Sequence, residues 1–180
     1  EAILKLVRGA RPETSGLAVT PVEHIRARLA QARRSGAQVA THAIGDRANR
    51  MVLDLYAEAW ADDPAGLRRA RWRVEHAQVI DAADIPRFGK LGVIASMQPS
   101  HAIGDLWFAP ARLGAARLGG AYAWRSLVES GAMLCAGSDA PVEKGDPRIE
   151  YYAATHRRDL DGRAGPDWHP EQALDRQAAL

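Results

Sequence analysis

Residues 38–46 read Gln-Val-Ala-Thr-His-Ala-Ile-Gly-Asp, a short apolar run that ends in a histidine and is followed by a glycine turn. Residues 72–76, Trp-Arg-Val-Glu-His, follow the same plan later in the chain. Short apolar runs without strict alternation are typical of strands that are covered on both faces, as in a parallel sheet. The chain is therefore predicted to be built around parallel strands that end in polar residues.

Five segments have this strand-like character, and helical patterns separate them. The predicted strands are Ile3–Val7, Gln38–Thr41, Trp72–Glu75, Val93–Met97 and Ala132–Ala136. Strands that alternate with helices indicate the α/β fold class with a parallel sheet. The pattern continues along the whole chain, so residues 1–180 are predicted to form a single domain.

The helices are predicted from caps and periodicity. Residues 20–23, Thr-Pro-Val-Glu, resemble a capping box at the start of a helix, and Gly36 is its expected stop. Asp46 is expected to cap the next helix, which ends at residues 62–64. A long loop is expected before residue 122, and the remaining helices are predicted over residues 84–90, 122–130, 147–158 and 171–180.

Composition excludes several classes of protein. The 180 residues carry a formal net charge of +2, and the basic residues are scattered, so no nucleic-acid partner is predicted. No apolar run is long enough to span a bilayer, so no membrane partner is expected either. The single cysteine, Cys135, is typical of a reducing compartment and predicts a cytoplasmic protein, while export stays open because no initiator methionine is present.

Polar residues follow four of the predicted strands, and three of them suit a metal site. His42, His76 and Asp139 each come directly after an apolar run. In a parallel barrel all strands end at the same face, where active sites are built, so two imidazoles and a carboxylate there predict a zinc or iron site. Taken singly, each histidine is equally well a hydrogen-bonded core residue. Asp139 alone is better explained as a helix cap, as is Asp46.

Four motifs occur in a fixed order along the chain. They are His-Ala-Ile-Gly-Asp-Arg-Ala at 42–48, Val-Glu-His-Ala-Gln at 74–78, Ser-Met-Gln-Pro at 96–99 and Gly-Ser-Asp-Ala-Pro-Val-Glu at 137–143. Together they resemble the amidohydrolase superfamily, in particular family 3, which includes N-substituted formamide deformylase-like proteins. The resemblance extends from Ile3 to Leu180 and implies a bacterial metal-dependent hydrolase.

This resemblance implies a partial TIM (β/α)8 barrel, strands four to eight with helices outside, and one or two divalent metals, zinc first among them. His42 and His76 resemble the metal ligands after strands five and six. Asp139 resembles the strand-eight aspartate, which binds metal and handles the proton of the attacking water. Lys5 resembles the strand-four lysine that is often carboxylated and bridges two metals; its alternative role is a surface lysine, because Arg8-Gly9 follows where the family has Asp-Gly.

The implied activity is hydrolysis of non-peptide amide or related C–N bonds, in which metal-activated water attacks the carbonyl carbon of a small molecule. Gln98, His101 and Trp107 lie on the segment after strand seven and are candidates for substrate binding, with Trp107 equally suited to packing. A deaminase is the alternative within the hydrolases. Outside them, the alternatives are a non-catalytic or regulatory relative and a doubly wound small-molecule binding domain, although no glycine-rich phosphate loop follows any strand.

The family's strand-one His-x-His pair is absent, because none of the six histidines forms one. The chain is therefore expected to be a fragment of a longer protein and to be inactive by itself. A barrel cut before strand four would leave two unpaired edges and an open inner face. Leu4, Val39, Val74, Ile94 and Leu134 are expected to form an apolar patch there, which predicts a homo-oligomer, most simply a dimer.

Overall fold

The computed structural model describes residues 16–165 and 168–180, and within them the chain forms an α/β domain. Four strands form one sheet in sequence order, and all neighbouring pairs are parallel. This arrangement confirms the predicted partial barrel with outer helices. The predicted strand Ile3–Val7 lies outside the described residues. The strands are β1 (Ala40–Ala43), β2 (Arg73–His76), β3 (Ile94–Met97) and β4 (Leu134–Ala136).

Helices connect the strands and cover one face of the sheet. In chain order they are α1 (Val22–Ser35), α2 (Asp46–Ala59), α3 (Pro64–Ala70), α4 (Ile85–Leu91), α5 (Pro99–Asp105), α6 (Ala109–Leu113), α7 (Ala115–Leu118), α8 (Trp124–Glu129) and α9 (Pro147–His156). A 3₁₀ turn at Pro170–Gln172 follows near the carboxyl end.

Helix ends were predicted with mixed success. Gly36 ends α1 in the left-handed conformation (φ 70) and its N–H bonds to the last turn, as expected for a glycine stop. The capping box was wrong: Pro21, not Thr20, is the N-cap, and no side chain caps the helix. Asp46 is also not a cap, because Gly45 holds that position and Asp46 is the first helical residue.

The segment between β3 and β4 is more helical than predicted. Three short helices, α5 to α7, replace the expected long loop, and α3 is a further helix that the sequence did not predict. In α3 the Asp63 side chain accepts a hydrogen bond from the Gly66 N–H at 2.9 Å, and Pro64 follows at the first helical position. The predicted helix over residues 171–180 was wrong, since only the 3₁₀ turn forms there.

The core lies between the sheet and the helices. Val74 is fully buried and Ile94 is 3% exposed, while Val39 and Leu134 are partly buried. The prediction that these residues form an exposed apolar patch was therefore wrong, and Leu4 lies outside the described residues. Their neighbours Arg73 and Glu75 form an ion pair on the opposite face of β2 from Val74, because side chains alternate along a strand.

No helix in the described part of the chain is long and apolar enough to cross a membrane.

Candidate metal centre

His42 and His76 lie on neighbouring strands, near the carboxyl end of each. Their rings are in edge-to-face contact, with centroids 4.5 Å apart and planes at 73°. The register pairs His42 with Glu75 and Ala43 with His76, so the two histidines are one position out of step. Simple alternation would place their side chains on opposite faces of the sheet, yet the rings meet.

The backbone at the end of β2 has an unusual conformation. His76 (φ 74) and Ala77 (φ 44) both lie in the left-handed region, which residues other than glycine rarely adopt and which costs about 1–3 kcal/mol each. Because β2 ends at His76, strand alternation no longer sets the direction of its side chain. The chain turns at the point where the His76 ring contacts His42.

Asn49 ties together the loops that follow the two histidines. Its side chain is fully buried, and its Nδ2 donates to the carbonyls of Gly45 at 3.0 Å and Val79 at 3.2 Å. Gly45 follows His42 and Val79 follows His76, so one amide group bridges both turns. Loss of this group would remove the side-chain donor from the Val79 carbonyl, whereas the Gly45 carbonyl would keep the Asn49 N–H at 2.9 Å.

His76 has the electronic character of a metal ligand. Burial of the ring lowers the pKa of His76, and the neighbouring His42 lowers it further, whereas Asp139 opposes the shift. A lowered pKa keeps the imidazole neutral, which is the form that binds metals. Its Nδ1 is buried and has no hydrogen-bond partner among the described residues, which fits an atom whose partner is an ion.

His101 extends the pair to a third ring. It lies on α5, and its ring stacks on that of His76 with centroids 6.0 Å apart and planes at 13°. Its Nε2 is likewise buried without a hydrogen-bond partner in the part of the chain described. Gln98, the N-cap of α5, is 6% exposed and lies at the end of β3. Two of the predicted substrate-binding residues thus follow the strand next to His76.

Asp139 is exposed and follows β4 by three residues, with φ 54. It is close enough to affect the pKa of His76. Even so, residues 16–165 and 168–180 contain no group of three histidine, cysteine or acidic side chains arranged to hold a metal. The sequence placed all three residues within reach of one cation, whereas the described residues bring the two histidines into contact, and a common site with Asp139 stays a prediction.

The position of Asp139 explains this difference. It follows the far edge strand β4, two strands away from the β2 that carries His76, and neighbouring strands are separated by about 4.8 Å. The histidine pair alone fits as two ligands of a divalent metal. Lys5, the fourth predicted ligand, lies outside the described residues.

Trp107 is a surface residue rather than a core residue. Its side chain is 58% exposed in the turn between α5 and α6, and the Arg163 guanidinium lies 5.3 Å above its ring. Such a cation–π contact holds the indole in place while one side stays open to solvent. Trp107 therefore does not pack in the core, and its ring forms an exposed aromatic surface.

Sequence reasoning missed a polar network behind His101. Asp105, Tyr122 and Gln78 are joined by hydrogen bonds, although they are far apart in the chain. The one available signal was the spacing of His101 and Asp105, which places both on the same face of a helix. Nothing in the sequence identified Tyr122 as their partner.

The chain matches the amidohydrolase family over residues 5–180. It belongs to that family. The match covers nearly the whole chain and confirms the membership predicted from the four motifs.

Two relatives support the assignment. The putative amidohydrolase YtcJ of Bacillus subtilis (strain 168) is 32% identical over 173 residues, which cover 96% of this chain and 32% of YtcJ. Protein LONG AFTER FAR-RED 3 of Arabidopsis thaliana is 40% identical over 147 residues, which cover 81% of this chain and 25% of the plant protein. The chain thus spans between a quarter and a third of the length of these relatives.

Two solved structures have the same fold over this region. An uncharacterised metal-dependent hydrolase from Pyrococcus horikoshii OT3 is 31% identical with a TM-score of 0.77, and the match covers 93% of this chain and 32% of that protein. Its counterpart from Pyrococcus furiosus is 29% identical with a TM-score of 0.76, over 94% of this chain and 32% of that protein. Both similarities support the partial-barrel fold of this chain.

Proposed function

We propose that this protein is a metal-dependent hydrolase of amide or related C–N bonds in small, non-peptide molecules. The observation that supports it most directly is the contact between His42 and His76 at the ends of adjacent parallel strands. Active sites of such barrels lie at this face. YtcJ is a putative amidohydrolase by name, and the two Pyrococcus proteins are metal-dependent hydrolases by name, which agrees with this chemistry.

His42 and His76 would hold the metal, with zinc as the proposed ion and Lys5 as a further ligand. Imidazole nitrogen is a preferred zinc ligand, and the buried Nδ1 of His76 lacks any partner among the described residues. When bound, such an ion supplies Lewis acidity, which polarises a carbonyl group and makes water a nucleophile near neutral pH. Burial of His76 lowers its pKa and so favours the neutral imidazole that coordinates a metal.

Asp139 is the proposed general base and general acid, and also a proposed metal ligand. Its carboxylate is exposed at the strand end, so it can take a proton from the attacking water and deliver that proton to the departing amine. The opposing effect of Asp139 on the pKa of His76 supports this role. Proton transfer by a positioned carboxylate typically contributes about 10²–10⁴ in rate.

His101, Gln98 and Trp107 are proposed to contact the substrate. The unpartnered Nε2 of His101 can donate to or accept from a polar group of the bound amide. The exposed ring of Trp107, in contact with the Arg163 guanidinium, offers an apolar surface. This combination of a few polar atoms and one aromatic wall suits a small amide with an apolar substituent.

A substrate screen tests the proposed function. The protein as its gene encodes it would be loaded with zinc and offered simple amides, N-substituted formamides and amidine-like deaminase substrates. Amide cleavage that a chelator abolishes and zinc restores is the expected result. Release of ammonia from amidines alone would identify a deaminase instead. Wild-type turnover in His42→Ala, with the exposed His24→Ala as control, would contradict the metal role.

Residues 1–180 expressed alone are proposed to lack this activity. They contain no His-x-His pair, and they correspond to only 32% of YtcJ and of each Pyrococcus hydrolase. The two ligands of the strand-one pair that the family resemblance implies would therefore be missing. Chelator-sensitive turnover of an amide by the purified 180-residue chain would overturn this proposal.

The same 180-residue chain is also proposed to self-associate, most simply as a dimer. Within the described sheet, β1 and β4 are the outermost strands, and a free strand edge favours pairing with another chain. Light scattering over a wide concentration range should show a dimer. A stable monomer at high micromolar concentration would contradict self-association.

A further inference from the structure

The helix that carries His101 is short and needs support from its surroundings. Helix α5 has seven residues, and isolated helices of this length are not stable in water. His101 and Asp105 are four residues apart and therefore share one face of α5. His101 stacks on His76, while Asp105 bonds to Gln78, two residues beyond His76. Helix α5 is thus attached at two points. His101 contacts the last residue of β2, and Asp105 contacts Gln78, two residues beyond that strand.

The Asp105 carboxylate receives two hydrogen bonds on the same oxygen. Gln78 Nε2 donates to Oδ2 at 2.9 Å, and the Tyr122 hydroxyl donates to the same atom at 2.5 Å. Both donors are buried, with Gln78 at 7% exposure and Tyr122 at 2%. Hydrogen bonds to an ionised acceptor are among the stronger ones in proteins.

The two donors are themselves held in place. The Tyr122 N–H donates to the Gln78 carbonyl at 2.8 Å, so these residues are joined through the backbone as well. Arg157 Nη1 donates to the Tyr122 carbonyl at 2.7 Å, and its guanidinium lies 4.7 Å from the Trp124 ring. Tyr122 has φ 52, a conformation that a bulky residue keeps only when its surroundings enforce it.

The other end of α5 is fixed independently. The Ser100 N–H donates to Glu150 Oε2 at 2.8 Å, and Glu150 is a buried residue of α9. With Glu150 at one end and Asp105 at the other, α5 has little freedom to rotate. Rotation about its axis is the motion that would carry His101 away from His76.

We propose that Asp105, held by Gln78 and Tyr122, is a positioning residue that fixes the His101 ring against His76. It acts through α5 and touches neither the metal nor the substrate. The effect of Asp105 on the position of His101 is independent of the proposed function, whereas its effect on catalysis rests on that function. Misplacement of a reacting or binding group by about 1 Å can cost up to about 10²-fold in rate. Loss of the Asp105 hydrogen bonds is expected to reduce the rate on this scale.

Three variants and one control separate positioning from general stability. Asp105→Ala removes both hydrogen bonds, and Tyr122→Phe removes one while keeping the ring. Asp105→Asn keeps an oxygen that can accept from both donors and should restore the arrangement. Asp63→Ala is the matched control, because that carboxylate also accepts two hydrogen bonds, from Gly66 and Arg69, but contacts α3 only.

The first readout is the NMR signal of the His76 and His101 rings in the protein labelled with ¹⁵N at histidine. Both Asp105→Ala and Tyr122→Phe should move the His101 signals, whereas Asp105→Asn and Asp63→Ala should leave them near their wild-type positions. If Asp105→Ala does not fold, the His101 signals of Tyr122→Phe test the proposal instead. Unchanged His101 signals in Tyr122→Phe, or equal changes in Asp63→Ala, would overturn the proposal.

The second readout is steady-state kinetics of the zinc-loaded protein on an amide that it cleaves. Asp105→Ala should lower kcat roughly 10- to 100-fold at unchanged metal content, with Asp105→Asn close to wild type. Absence of turnover in the wild-type protein would refute the proposed function. The NMR signals of the histidine rings would still test whether Asp105 positions His101. If Asp105→Ala shifts the His101 signals but keeps a wild-type kcat, Asp105 positions the ring without affecting catalysis, and only the catalytic part of the proposal is overturned.

Discussion

The ring of His76 is in edge-to-face contact with the ring of His42, although the register of β1 and β2 pairs His76 with Ala43 instead. The contact depends on the left-handed backbone at His76 and Ala77, where β2 ends. Asn49 joins the two following turns through their carbonyls. The pair is therefore part of a built arrangement and not a chance approach of two side chains.

Replacing either histidine of the pair should weaken metal binding. We expect His42→Ala and His76→Ala each to lower zinc affinity by more than the roughly 10–100-fold that loss of an outer-shell partner costs. Calorimetric titration of the metal-free protein measures this directly. His24→Ala is the control, because His24 is exposed on α1. Equal affinities in all three variants would exclude the pair as ligands.

Asp139 is predicted to act mainly on the rate of the chemical step. Asp139→Asn should lower kcat by about 10²–10⁴-fold, because the amide cannot transfer the proton. Asp146→Asn should be nearly silent, since asparagine caps α9 as well as aspartate does. Steady-state kinetics on zinc-loaded protein tests both variants. A wild-type kcat in Asp139→Asn would remove Asp139 from the mechanism.

Arg157 is predicted to be important for stability. Its guanidinium is buried and donates to the carbonyls of Trp168 at 3.0 Å and Tyr122 at 2.7 Å. Arg157→Leu would remove the Arg157 donor from the Trp168 carbonyl and one of two donors from the Tyr122 carbonyl, which keeps the Trp124 N–H, and should lower the free energy of unfolding by about 1–3 kcal/mol. Urea denaturation measures the loss. The exposed Arg148→Leu should change stability much less, and an equal effect of both variants would contradict the account.

Asp105 should make stability depend on pH. Burial raises the pKa of its carboxyl group, although the hydrogen bond from Tyr122 and the nearby His101 lower it in part. A folded-state pKa above the unfolded one, about 3.9, means that the native state binds the proton more tightly. The associated stability is present below the unfolded pKa and is lost as pH rises through the folded pKa.

Comparison with Asp105→Asn isolates this contribution. The difference in unfolding free energy, wild type minus variant, should fall as pH increases from below 3.9 through the raised pKa. Urea denaturation of both proteins at a series of pH values provides the data. A difference that stays constant or grows over that range would show that burial does not dominate the environment of Asp105.

The sequence predicted the framework because apolar runs and strand ends are local features. Two of the four described strands lie within the predicted segments, whereas Ala40–Ala43 ends two residues beyond its segment and Arg73–His76 ends one residue beyond. The placement of His42 beside His76 followed from the rule that parallel strands end at one face. The short helices after β3 were missed, since helices this short depend on tertiary contacts more than on their own sequence.

The rest of the site depends on contacts that no local pattern records. The left-handed conformation of His76 could not be predicted, because only a few per cent of non-glycine residues adopt it and no local pattern marks which histidine does. The bond between Asp105 and Tyr122 joins residues on separate elements. The position of Asp139 depends on the curvature of the sheet between β2 and β4, which strand order alone does not determine.

Anomalous X-ray diffraction at the zinc absorption edge, from crystals of the zinc-loaded protein, tests the claim that His42 and His76 bind the metal. We expect a peak within about 2.0–2.1 Å of a ring nitrogen of both histidines. In His42→Ala crystals prepared in the same way, that peak should be lost or strongly reduced. A fully occupied zinc site that contacts neither histidine, or zinc-dependent turnover with no zinc beside the pair, would contradict the claim.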